Sequence, residues 1–65
     1  MNTIRILRNE RKITQIQLAK KLKINQATIS MWERGKSNPT AKLLPKLAEI
    51  LNCSIDELFS DRKVV

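Results

Sequence analysis

Sixty-five residues with 13 Lys and Arg against 6 Asp and Glu, a formal charge of +7, make a short and strongly basic chain. A chain this short buries only ~60% of the surface that its unfolded form exposes, so one small domain over residues 1–65 is expected rather than a large core. One cysteine and no histidine exclude a disulfide framework, a cysteine–histidine catalytic pair and a clustered metal site. Cys53 reads as a buried, unreactive thiol in a reducing compartment. The N-terminus, Met1-Asn2-Thr3-Ile4-Arg5, has no apolar run long enough for a signal peptide or a membrane span, so a cytosolic protein is expected.

The charge is unevenly spread. Residues 1–46 hold eleven of the thirteen cations and only Glu10 and Glu33 as acids, a balance of +9. Residues 47–65 hold Arg62 and Lys63 against Glu49, Asp56, Glu57 and Asp61, a balance of −2. A field with this direction suits a polyanion on one side and a neutral or self-complementary surface on the other.

Strand signals are missing, and the chain reads as short helices with caps. A first helix is expected from about Thr3 to Arg11, with Ile4, Leu7 and Arg8 inward. Thr14 and Gln17 form a capping box for a second helix, which carries Leu18, Ala19 and Leu22 inward. Asn25 is the next N-cap, and a third helix runs from Gln26 to Arg34 with Gly35 as its stop. Asn38-Pro39-Thr40 reads as a turn and a further N-cap. Pro45 would break a helix begun at Ala41, so the fourth helix is expected to begin near Leu44 and extend to about Asn52. Ser54 caps a last helix through Ile55, Leu58 and Phe59. The expected fold is therefore all-α, a bundle of five short helices.

Within it, Gln15 to Glu33 meets the demands of a helix-turn-helix, in which two short helices cross steeply and the second enters the DNA major groove. Ala19 is the small residue where the backbones approach. Leu18, Leu22, Ile24, Ile29 and Trp32 are the apolar contacts, and proline is absent from both helices. The outward face of the third helix carries Gln26, Ala27, Ser30 and Met31. Glutamine can pair bidentately with adenine, serine suits a base or a phosphate, and Ala or Met can touch thymine methyls. A merely solvated face would more often carry Lys and Glu.

These residues also carry a resemblance. The stretch from Ile13 to Thr40, with T-I-S-x-W-E-R-G at its centre, resembles the phage repressor and Cro type (Xre) helix-turn-helix family. Ile4 to Arg8 is similar to that family's first helix, and Leu44 to Phe59 to its fourth and fifth. The resemblance implies a lambda-repressor-like fold and sequence-specific binding to double-stranded DNA. It implies base contacts from Gln26, Ala27, Ser30 and Met31, and backbone contacts from Gln15, Asn25, Lys36 and Ser37. Gln15 would also brace Gln26, and Arg8 and Glu33 would form an ion pair tying the first helix to the end of the third. Lys23 stands where the family usually has a glycine in a left-handed turn, and would add a charge near the phosphates. Ile16 stands at a usually polar position; with Ile6 it is expected to be exposed.

The expected activity is equilibrium binding without catalysis, cofactor, metal or small-molecule ligand. Repression would follow from occupying an operator over a promoter, although the same module can also activate. The expected assembly is a homodimer on a palindromic operator, joined through the last helix and the tail, where Leu58, Phe59, Val64 and Val65 are more apolar than a solvated end needs. The rival reading is a protein-interaction module, such as an antitoxin, using the same fold.

Overall fold

In the computed structural model, which describes residues 2–59, five helices follow one another through short turns: α1 Asn2–Glu10, α2 Gln15–Leu22, α3 Gln26–Glu33, α4 Leu44–Leu51 and α5 Ile55–Phe59. Among the described residues there is no strand. Helices this short are marginal alone, so each depends on the apolar face that it buries against its neighbours. Ile4 and Leu7 of α1, Leu18 and Leu22 of α2, and Ile29 and Trp32 of α3 meet in one core. Leu47 and Leu51 of α4 and Leu58 of α5 close it from the other side. Ala19 of α2 is also buried in this core, and Ile24 in the turn between α2 and α3 is half-buried.

The helix ends share one solution. After α1, α2, α3 and α4 the backbone turns left-handed at Lys12 (φ 57°), Lys23 (φ 58°), Gly35 (φ 76°) and Asn52 (φ 55°). In each case the next amide reaches back into the helix: Ile13 to Arg8 at 3.0 Å, Ile24 to Ala19 at 3.0 Å, Lys36 to Met31 at 2.9 Å and Cys53 to Ala48 at 2.9 Å. This is the Schellman arrangement, in which the residue after the left-handed one commonly makes an apolar contact. Ile13, Ile24 and Cys53 do pack against the core. Lys36 is the exception, an exposed cation at the end of α3.

The helix starts differ from one another. Thr14 accepts from the Gln17 amide at 3.0 Å while the Gln17 side chain accepts from the Thr14 amide at 2.9 Å. Ser54 and Glu57 repeat this reciprocal box before α5, at 3.1 and 3.0 Å. Thr40, expected to cap α4, does not. Its carbonyl accepts from Leu43 N–H at 3.0 Å in a separate turn, and α4 starts at Leu44 without a side-chain cap. The late start puts Pro45 in the first turn, where its missing N–H costs no helical hydrogen bond.

Two further expectations need correction. Ile6 is half-buried rather than exposed, although Ile16 is open to solvent. Leu58, assigned to a subunit contact, is 1% exposed and seals its own core, whereas Phe59 is 55% exposed. Val64 and Val65, the rest of that expected contact, lie outside the described residues.

Candidate nucleic-acid interface

The third helix divides cleanly into two faces. Ile29 and Trp32 point into the core. Gln26, Ala27 and Met31 are exposed and Ser30 is half-buried, all four on the opposite stripe that the helical period of 3.6 assigns to them. The exposed stripe carries no formal charge. Cations stand at its two ends instead, with Lys23 exposed in the turn before α3 and Lys36 exposed just after it.

The start of α3 is fixed by Asn25, whose Oδ1 accepts from the Ala27 amide at 2.9 Å. That bond uses only the acceptor of the Asn25 side chain, and its amide hydrogens remain available to an external anion. At the other end of α3, Arg34 lays its Nε 3.4 Å from the Ser30 carbonyl. Ser37 follows Lys36 and is half-buried.

Beside this face runs a chain of side-chain hydrogen bonds joining three helices. Arg8 Nε donates to Glu33 Oε2 at 2.8 Å and Arg8 Nη2 to Glu33 Oε1 at 3.2 Å. Nη1 of the same guanidinium donates to the Ile13 carbonyl at 2.9 Å, tying the pair to the end of α1. Gln15, at the start of α2, donates through Nε2 to Glu33 Oε1 at 2.9 Å. Gln26, at the start of α3, donates through Nε2 to Gln15 Oε1 at 3.3 Å.

The Glu33 carboxyl sits where burial would raise its pKa. The hydrogen bonds from Arg8 and Gln15, with the charges of Arg8 and Arg5, more than offset this and hold it below the ordinary glutamate value. Both charged partners are largely enclosed, with side-chain exposures of 11% for Arg8 and 5% for Glu33. Among the described residues, no buried side-chain nitrogen or oxygen lacks a partner.

Sequence reasoning did not find the bond between Gln15 and Glu33. The two residues are 18 positions apart and lie on different helices, so no local pattern announces it. The left-handed Lys12 was missed as well, because neither glycine nor asparagine marks the site. A pair of apolar residues bracketing the end of α1, Leu7 and Ile13, was the available signal.

Two short helices, α2 and α3, packed on each other through a tight turn over a shared core, with an uncharged polar stripe facing out between cations, define a helix-turn-helix module. A family model described as helix-turn-helix matches residues 4–58, and the chain belongs to that family. It is 51% identical over 51 residues to the transcriptional regulator DicA of Escherichia coli, which covers 78% of this chain but only 38% of DicA. An uncharacterised helix-turn-helix regulator of Archaeoglobus fulgidus is 41% identical over 56 residues, 86% of this chain and 80% of that protein. Repressor protein C2 of Salmonella phage P22 is 38% identical over 55 residues, 85% of this chain and 26% of the phage protein. These relatives are named as regulators and a repressor, not as enzymes. No helix among the described residues is long and apolar enough to cross a membrane.

Proposed function

We propose that this chain is a sequence-specific, double-stranded DNA-binding transcriptional repressor that reads its operator through α3. The observation that carries the reading is the composition of the exposed stripe of α3: Gln26, Ala27 and Met31, with Ser30 beside them. Gln26 supplies a donor and an acceptor to one base pair, Ser30 a hydroxyl, and Ala27 and Met31 apolar contact to thymine methyls. Gln15, Asn25, Ser37, Lys23 and Lys36 contact the phosphates on either side and set the register without reading sequence. Repression is supported by the likeness to the P22 repressor and follows from competition for promoter DNA.

One recognition helix reads too few base pairs to select a site in a genome, so two copies act on a palindromic operator with half-sites ~34 Å apart. The surface proposed for their contact is the exposed side of α5. Ile55 and Phe59 are 40% and 55% exposed there, and the adjoining residues are neutral to acidic. The test is a selection from random duplexes, followed by sedimentation with the selected duplex. A palindromic consensus bound by two protomers is the expected result. Recovery of no consensus, or one protomer per saturated palindrome, overturns sequence-specific dimeric binding.

A further inference from the structure

We infer that Glu33, enclosed and outside the exposed stripe of α3, sets which base Gln26 prefers, by fixing the direction of two glutamine amides in series. The inference rests on the proposed reading of DNA by α3 and extends it to a residue outside the contact face.

A glutamine side chain has one acceptor end and one donor end, and in isolation the two can exchange places by a flip of the amide. An ionised carboxylate can only accept. Glu33 already accepts twice from Arg8, at 2.8 and 3.2 Å, and this pairing keeps it ionised and stationary. Whatever Gln15 presents to Glu33 Oε1 at 2.9 Å must therefore be its Nε2. The Oε1 of Gln15 is then turned toward α3, where the group opposite it must donate. Gln26 meets that requirement with its own Nε2, 3.3 Å away.

The consequence lies at the free end of the chain. Gln26 is left with one Nε2 hydrogen and with Oε1 as an acceptor. Adenine offers the complementary pair on its major-groove edge, an acceptor at N7 and a donor at the exocyclic amine. Guanine offers two acceptors there, so Oε1 of Gln26 would face an oxygen or nitrogen lone pair. Were Glu33 neutral and able to donate, both amides could reverse and this bias would be lost. The remaining Nε2 hydrogen of Gln15 is directed by the same constraint and is free for a phosphate oxygen.

The experiment measures relative affinity for four duplexes that differ only at the base pair read by Gln26. That position is assigned as the one where Gln26→Ala loses preference. The wild-type chain should favour adenine by about 5- to 150-fold, the span of one good bidentate pair. Glu33→Gln, whose amide can present either end to Gln15, should cut this discrimination to within a few-fold. Gln15→Ala should do the same while leaving the Arg8–Glu33 pair in place, and it serves if Glu33→Gln folds poorly. Preference at the other positions of the site should persist in Gln15→Ala, which a general loss of structure would not allow.

Retained adenine preference in a folded Gln15→Ala or Glu33→Gln protein overturns the relay while leaving DNA recognition by α3 intact. A wild-type preference for guanine or cytosine at that position overturns the assigned direction. Absence of preference at every position in the wild-type chain instead removes the reading on which the inference rests.

Discussion

Arg8 and Glu33, 25 residues apart, are clasped through two parallel hydrogen bonds, Nε to Oε2 at 2.8 Å and Nη2 to Oε1 at 3.2 Å. The clasp joins α1 to the end of α3, and a third donor on the same guanidinium holds the Ile13 carbonyl. Such a fork-to-fork pair is geometrically specific, and lysine could not reproduce it. Its energetic weight shows mainly when one partner is removed, because the other is then left enclosed and unpaired. Arg8→Ala should therefore lower stability by about 3 kcal/mol, read as a shift of the urea midpoint at unchanged slope. A shift of under ~0.5 kcal/mol would place the pair with ordinary surface ion pairs.

The same carboxylate makes stability depend on pH in a definite direction. The folded-state pKa of Glu33 lies below its unfolded value, so in the interval between them the unfolded chain binds more protons. The contribution is complete above the unfolded pKa and is lost as pH falls through the folded one. Thermal midpoints should fall as pH drops below the ordinary glutamate range in the wild-type chain, and less steeply in Glu33→Gln. Parallel curves for the two proteins would assign the acid sensitivity to other carboxylates.

Two left-handed residues should respond oppositely to substitution. At Gly35 an added Cβ would meet no atom within 4 Å, yet φ is +76°. Gly35→Ala should then cost about 1 kcal/mol through backbone strain alone. Lys23 bears that strain already at φ 58°, so Lys23→Gly should stabilise by a few tenths to ~1 kcal/mol, with part of the gain lost to unfolded-state entropy. Chemical denaturation of both variants checks the signs, and a destabilised Lys23→Gly would mean that the lysine side chain contributes contacts of its own.

Trp32 is the largest fully enclosed side chain and belongs to the one core that the five helices share. Trp32→Ala should cost about 3–5 kcal/mol, comparable to the whole stability of a chain this size. Loss of the cooperative thermal transition is the expected readout, and an unchanged midpoint would contradict the packing described for α3.

Legibility in the sequence followed the range of the interaction. Thr14 with Gln17 was readable because a capping box closes within four residues, and Pro45 placed the start of α4 because its ring acts locally. Thr40 misled because a good capping residue is only an option. The turn over 41–43 and Pro45 together moved the helix start beyond its reach. Leu58 misled for a different reason: apolar residues near a chain end look alike whether they seal a core or a subunit contact. Ile6 was misread likewise, since partial cover by neighbouring elements is set by the tertiary arrangement. The polar stripe of α3 was legible from its spacing. Its connection to Glu33 through Gln15 needed three helices in place at once.

The central claim is that Gln26 reads sequence and Lys36 does not, and affinity measured for both variants on preferred and scrambled duplexes tests it most directly. By fluorescence anisotropy over a salt series, Lys36→Ala should weaken binding to both duplexes alike and reduce the salt slope by about one unit. Gln26→Ala should cost about 1–3 kcal/mol on the preferred duplex and little on the scrambled one, at an unchanged slope. Equal losses on both duplexes for Gln26→Ala, or wild-type binding that does not weaken with salt, would contradict recognition of DNA through α3.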